Sequence, residues 1–132
     1  MPSKPTPQVT SWSFSSLTDY DNCPFKLKLK RVDRLKEPPS PQMDEGTRVH
    51  KLAEDYVLGK LNRLPKELKL FTGEFKALRN VKGVEAEAEW CFDSAWKPTG
   101  WFAPNAWVRI KVDAHYLDPK TNRVRVIDYK TG

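Results

Sequence analysis

The chain has 132 residues, of which 39% are hydrophobic, and this is enough for one globular core. Lys and Arg number 23 against 17 Asp and Glu, which gives a net charge of +6 and an isoelectric point near 9.4. This balance favours a polyanionic partner such as nucleic acid, although an anionic membrane surface would attract the same charge. The sequence contains no apolar run of about 18 residues and no signal-peptide pattern, so we expect neither membrane insertion nor export, and cytoplasmic residence is the default.

The start of the chain predicts a flexible segment followed by short helices. Residues 1–12 include three prolines and show no apolar period, so we expect one folded domain to span residues 13–132. Ser15 or Ser16 is the expected N-cap of a first short helix, and a second helix is expected after Pro24.

The densest positive patch of the sequence follows Pro24. Six basic residues occur there with Asp33 as the only acid among them. They form either a surface that contacts the phosphate backbone of a nucleic acid or an ordinary solvated helix face. The candidate DNA-binding residues are Lys26, Lys28, Lys30, Arg31, Arg34 and Lys36, together with Tyr20 from the preceding helix.

An amphipathic helix is predicted from Met43 to Lys60, because apolar positions recur there at helical spacing. Gly46, His50 and Glu54 fall at intervals of four, on a stripe along the edge of the apolar face. Gly46 has no side chain one turn before His50, which leaves room for an ion or a strand to approach the imidazole. His50 is therefore a candidate ligand, and the alternative is a hydrogen-bonded histidine at the edge of the core.

The next segments predict a connection, a strand and an aromatic loop. Residues 61–82 suggest a short helix or an irregular connection. The run from Val84 to Phe92 alternates strictly, with three glutamates on one face, so it predicts a strand whose acidic face either meets water or lends a carboxylate to a metal site. Aromatic residues then cluster in residues 93–106, where they either pack over a core edge or stack exposed bases of single-stranded DNA.

The end of the chain predicts a β-hairpin that carries two acids. The segments WVRIKVDAHYL and RVRVIDYKTG flank the turn sequence DPKTN. A loop centred between Lys120 and Thr121 would place Leu117 opposite Val124 and Asp113 opposite Asp128. The carboxylates of that acidic pair would repel one another unless a divalent cation lies between them, so the hairpin predicts a metal site. The alternative is that two unrelated acids lie at strand ends.

Four separated motifs resemble the PD-(D/E)XK nucleases, in particular the RecB-like branch, which includes the nuclease domains of bacterial recombination complexes, CRISPR adaptation nucleases and many phage exonucleases. SFSSLTDYDNCP is similar to that branch's S-x-S-x-L-x-x-Y-x-x-C-P opening, and GTRVHKLAE resembles its helix with Gly46, His50 and Glu54. VDAHYLD matches the second-strand acid at Asp113, and VIDYKTG is close to the third-strand D-x-K-T-G, with Asp128 and Lys130.

This resemblance implies a restriction-endonuclease-like α/β fold with an αβββ core and additional N-terminal helices. It also implies that Mg²⁺ or Mn²⁺ is bound by His50, Asp113, Asp128 and the backbone carbonyl of Tyr129, and that Lys130 is catalytic together with the two aspartates. Imidazole among oxygen ligands favours Mn²⁺. The implied activity is phosphodiester hydrolysis in DNA, by an exonuclease of phage or bacterial recombination and repair.

Members of this branch continue beyond K-T-G into a helix with Q-x-x-x-Y, so the resemblance predicts that the nuclease domain is incomplete at its C-terminus. An oligomer or a recombination partner protein is therefore compatible with the sequence. Cys23 matches the first ligand of an iron–sulfur cluster found in some relatives, but Cys91 does not match another. We expect free thiols and no such cluster in this form. The alternative functions are a non-catalytic DNA-binding or assembly module and a CRISPR adaptation-type nuclease with an iron–sulfur cluster.

Overall fold

The computed structural model of the chain describes residue 3 and residues 8–130. Four α-helices lie within this part and precede three β-strands, so the mixed α/β fold class predicted from the sequence is confirmed. The helices are α1 (Phe14–Asn22), α2 (Pro24–Arg31), α3 (Pro41–Val57) and α4 (Thr72–Arg79), with a 3₁₀ helix at Lys66–Phe71 before α4. The strands are β1 (Glu85–Phe92), β2 (Val108–Asp118) and β3 (Arg123–Ile127).

Two predicted features lie partly outside the described residues. They are the flexible segment 1–12, of which only residues 3 and 8–12 are described, and the K-T-G end, of which only Lys130 is described. The extent of the predicted domain, residues 13–132, stays a prediction. No helix in the described part of the chain combines the length and apolar character needed to cross a membrane.

Serine side chains determine where two of the helices begin. Ser13 is the N-cap of α1, so the prediction of Ser15 or Ser16 was wrong: Ser16 N–H donates to Ser13 Oγ at 3.3 Å, and Ser13 N–H donates to Ser16 Oγ at 2.8 Å. Helix α3 begins at Pro41, two residues before the predicted start. Ser40 Oγ accepts the N–H of Met43 at 3.2 Å, and the fixed φ of proline suits the first helical position.

The chain divides into two compact units, and β1 and β2 contribute residues to both. The first unit comprises the described residues of Met1–Pro38 and Glu89–Ile110, and the second comprises those of Pro39–Ala88 and Lys111–Gly132. The second unit has a continuous apolar core, built from the inner faces of α3 and α4, the 3₁₀ helix and β2. Its buried residues are Ala53, Tyr56, Val57, Leu68, Phe75, Leu78 and Ala114.

The strands form an antiparallel sheet in the order β1-β2-β3. The hairpin register is the predicted one, because Leu117 pairs with Val124. Asp118 closes the turn by accepting the N–H of Lys120 and the hydroxyl of Thr121, both at 3.0 Å. Strand β3 ends at Ile127, so Asp128 lies immediately beyond the last paired residue of the hairpin.

Candidate metal centre

Three side chains of the second unit bring potential metal-ligand atoms together. One nitrogen of His50 and one carboxylate oxygen each of Glu87 and Asp113 all lie within 4.8 Å of one another. His50 Nδ1 is 3.3 Å from Asp113 Oδ1. These side chains come from α3, β1 and β2, so the centre depends on the tertiary fold and is not a local sequence motif.

Each of these residues is positioned by the packing around it. His50 lies on α3, one turn before the fully buried Ala53. Asp113 follows Val112 and precedes Ala114 on β2, and both of these neighbours are buried, which fixes the strand on either side of the carboxylate. Glu87 lies within β1 and has a φ of +54°, in the left-handed region that non-glycine residues rarely adopt.

The electrostatics of the group favour a cation. The side chain of Glu87 is exposed, but incomplete solvation of its carboxylate, followed by the charges of Asp113 and Glu54, still raises its pKa. His50 and Lys111 oppose this effect without cancelling it. An imidazole nitrogen and two carboxylate oxygens are ligands that Mg²⁺ and Mn²⁺ accept. Both the donor set and the excess of negative charge therefore fit a divalent metal of the kind expected from the sequence.

Tyr129 lies directly beside the group. Its backbone N–H donates to Asp113 Oδ2 at 2.5 Å, and its ring meets the imidazole of His50 edge to face with centroids 5.9 Å apart. Burial, followed by the charges of Asp113 and Glu87, raises the pKa of its phenol. These contacts hold Tyr129 and the carboxylate of Asp113 in place. The predicted ligation through the carbonyl of Tyr129 stays a prediction.

Asp128 and Lys130 lie just past β3 and form an ion pair, with Lys130 Nζ 2.5 Å from Asp128 Oδ2. This contact raises the pKa of Lys130. Both residues line, with His50, a groove of about 1360 Å³ in the second unit. Asp128 is not among the three residues whose ligand atoms converge, so the structure brings together His50 and Asp113 of the predicted ligands and leaves Asp128 beside them.

Glu87 is the member of the group that the sequence did not select. Strict alternation in β1 predicts that its three glutamates share one face, which either meets water or lends a carboxylate to a metal site, and does not indicate which of them would do so. The structure separates them: Glu87 joins His50 and Asp113, whereas Glu85 Oε2 is 3.3 Å from Nε2 of His115. His115 is outside the converging group.

The predicted DNA-binding residues belong to the first unit, and three of the six basic residues form ion pairs with acids. Lys26 and Lys30 both pair with Asp19 and Glu37, and Lys28 pairs with Asp33 at 2.7 Å. These contacts lower the pKa of both Asp19 and Glu37. The other basic residues, Arg31, Arg34 and Lys36, are exposed. Tyr20 is half exposed and meets Trp12 edge to face.

One of three comparisons with known proteins finds a match. No curated protein and no solved structure matches the chain. The family model of the PD-(D/E)XK nuclease superfamily matches residues 11–103, a range that includes His50 and Glu87 and ends before Asp113, Asp128 and Lys130. Because the match covers well over half of the 132 residues, the chain belongs to the PD-(D/E)XK nuclease superfamily.

Proposed function

We propose that the chain is a divalent-metal-dependent nuclease that hydrolyses phosphodiester bonds in DNA. The observation that supports this most strongly is the convergence of His50, Glu87 and Asp113 in a member of a nuclease superfamily. Two carboxylates so close together repel one another unless a cation lies between them. A site of this composition is therefore better suited to holding a metal ion than to stabilising the fold.

Several residues of the second unit would act together at this centre. His50, Glu87 and Asp113 would hold the cation, and Asp128 and the carbonyl of Tyr129 are proposed to complete the ligand set. When bound, the cation supplies positive charge for the phosphoryl group and lowers the pKa of a nearby water. Mn²⁺ suits the imidazole nitrogen better than Mg²⁺ does, since Mg²⁺ prefers oxygen ligands throughout.

Lys130 is proposed to act on the phosphate or on the attacking water. Its side chain is 75% exposed while it pairs with Asp128, so a phosphate oxygen can reach it without any rearrangement of the core. An ammonium held beside the reacting phosphate stabilises the negative charge that develops in the transition state. Asp128 would keep Lys130 protonated and correctly oriented.

An exonuclease of phage or bacterial recombination and repair is the specific role that we propose. The resemblance of four motifs to the RecB-like branch supports this role, and the net charge of +6 suits a DNA substrate. In this role the chain would work with a recombination protein, in a bacterial or phage-infected cell.

The proposal is tested by DNA cleavage. End-labelled linear single- and double-stranded DNA and a closed circle would be incubated with Mn²⁺, Mg²⁺ or EDTA. We expect metal-dependent loss of the linear DNA while the circle survives, no cleavage by Asp113→Asn, and wild-type cleavage by the control Glu85→Gln, which changes an exposed acid outside the converging group. Cleavage of the circle would identify an endonuclease. Binding without cleavage by the wild type would favour the non-catalytic module.

A second variant isolates the role of Lys130. Because its side chain is exposed and lies outside the core, Lys130→Ala should keep the wild-type melting temperature and DNA affinity. Loss of the charge beside the phosphate should lower the cleavage rate by roughly 100- to 1000-fold, the usual effect of removing one such group. Single-turnover cleavage with saturating enzyme measures this, and an unchanged rate would remove Lys130 from the mechanism.

A further inference from the structure

The aromatic loop, residues 93–107 between β1 and β2, exposes large aromatic side chains in the first unit. Trp96 is 62% exposed and Phe102 is 87% exposed. Large exposed aromatic side chains that are grouped on one short segment are typical of a contact surface. The interpretation that this loop covers a core edge therefore does not account for these two side chains.

Trp96 is held on a preformed turn. Asp93 Oδ1 accepts the backbone N–H of both Ala95 and Lys97 at 2.9 Å, and the N–H of Asp93 donates to the carbonyl of Lys97 at the same distance. At the tip, Trp96 has a φ of +61°, a conformation that is strained for a bulky side chain and is typical of functional sites. The turn thus fixes the indole in an exposed position before any ligand arrives.

Neighbouring rings restrict the Trp96 side chain further. Its ring meets that of Trp107 edge to face, with centroids 5.6 Å apart, and that of Phe92 at 6.2 Å. These contacts use only part of the indole surface. A ligand that stacks on the remainder would meet a ring that already has little rotational freedom, which lowers the entropic cost of binding.

The loop also presents positive charge beside its rings. Arg109 lies against Trp101 and Phe102, with its guanidinium carbon 5.6 Å and 5.9 Å from the two ring centroids, and its Nε donates to the carbonyl of Trp101 at 2.7 Å. Lys97 follows Trp96 in the chain and is exposed. Asp93 is the only acid in residues 93–107, and its carboxylate is occupied by the turn.

We propose that the aromatic loop binds unpaired bases of single-stranded DNA, which stack on Trp96 and Phe102 while Lys97 contacts the phosphates. Exposed rings with adjacent cations are the combination that binds single strands without sequence preference. Paired bases do not offer this contact, because their faces are already stacked within the duplex. The inference rests on the proposed function, since it assigns to this loop a part in binding the DNA substrate.

The test measures binding separately from cleavage. In EDTA, where the proposed metal-dependent activity is absent, the anisotropy of a labelled oligothymidylate and of a duplex would be followed with the full chain. Trp96→Ala and Phe102→Ala should each lower the affinity for the single strand by roughly 5- to 150-fold, the effect of removing one stacked base. Affinity for the duplex should not change. Phe14→Ala is the control, because it removes an 80% exposed aromatic ring outside the loop.

Conservative variants separate stacking from general apolar contact. Trp96→Phe keeps an aromatic face and should retain most of the single-strand affinity, whereas Trp96→Leu keeps apolar volume and should weaken binding as much as Trp96→Ala does. Equal affinity of Trp96→Leu and wild type, or equal weakening for single strand and duplex, would overturn the proposal and favour a protein partner on this surface. Failure of the wild type to cleave any DNA with Mn²⁺ would instead overturn the proposed function, and the binding comparison would still decide the role of the loop.

Discussion

Glu87 combines an unfavourable backbone conformation with an unfavourable charge environment. Its φ of +54° lies in a region that costs a non-glycine residue about 1–3 kcal/mol. Its side chain is exposed, but incomplete solvation and the nearby carboxylates of Asp113 and Glu54 still disfavour its negative charge. Strain and repulsion at the same residue are expected where a ligand offsets them, as a cation held by His50, Glu87 and Asp113 would.

This leads to a prediction for the metal-free protein. The pKa of Glu87 is raised in the folded state. Its contribution to the free energy of unfolding is therefore fully present at low pH, where the carboxyl is protonated, and is lost as pH rises through that pKa. In EDTA, Glu87→Gln should therefore be more stable than wild type at pH 7 and nearly equal to it at about pH 4, the ordinary pKa of a glutamate. Urea unfolding at the two pH values measures the difference. A variant that is less stable than wild type at pH 7 would contradict the assignment.

The same variant should respond weakly to metal. At 100 times its Kd, Mn²⁺ should stabilise the wild type by about 2.7 kcal/mol, whereas a variant that binds about 100-fold more weakly gains only about 0.4 kcal/mol at that concentration. Thermal unfolding with and without Mn²⁺ measures both. Glu85→Gln is the matched control, because Glu85 lies on the same strand with its side chain 71% exposed. An equal metal response in Glu87→Gln and Glu85→Gln would remove Glu87 from the centre.

At the scale of elements, the sequence predicted what depends on local pattern. The alternation of β1, the apolar period of α3 and the turn chemistry between β2 and β3 led to the observed elements and to the pairing of Leu117 with Val124. Burial alternates through β1 as predicted and leaves all three glutamates exposed, so alternation alone could not show that Glu87, with its left-handed backbone, is the one that lies beside His50 and Asp113. The spacing of residues along the sequence also could not show that Asp19 and Glu37 form ion pairs with Lys30, because these contacts depend on how the chain folds back on itself.

Strand β3 is an edge strand with an apolar face. Within the described residues it pairs with β2 alone, and Leu117, Val124 and Val126 are each 56% exposed. The register places Leu117 beside Val124, with Val126 two residues further along the same face. An apolar edge of this kind tends to pair with another strand or sheet.

We therefore expect concentration-dependent self-association of the chain through β3. The double variant Val124→Lys with Val126→Lys should be monomeric at concentrations where the wild type forms larger species, because charged side chains on an edge oppose pairing. Light scattering after size-exclusion chromatography measures the mass. Repeating the measurement at high ionic strength separates blocked strand pairing from simple repulsion between molecules of higher net charge. Salt screens the repulsion, so the double variant should stay monomeric only if strand pairing is blocked. A wild-type protein that stays monomeric at all concentrations would contradict the expectation.

For the whole molecule, charge should govern how tightly DNA is held. The net charge of +6 is spread unevenly, because Lys26, Lys28 and Lys30 are paired with acids while Arg34 and Lys36 are exposed and near no acid in the described ion pairs. Binding to DNA releases counterions in proportion to the number of phosphates neutralised. Exposed cations without an acidic partner are the ones that should contribute most to this release.

The salt dependence of binding tests this distribution. Replacing both Arg34 and Lys36 with Gln should reduce the slope of log affinity against log salt concentration by about 1.8, because each phosphate of duplex DNA that the protein neutralises adds about 0.9 to that slope. Replacing both Lys28 and Lys30 with Gln removes the same charge but leaves Asp33, Asp19 and Glu37 to solvent, so the slope should change less. Anisotropy titrations in EDTA over a series of salt concentrations measure both slopes. Equal changes would mean that the paired lysines exchange their acidic partners for phosphates, and that the whole basic run contacts DNA.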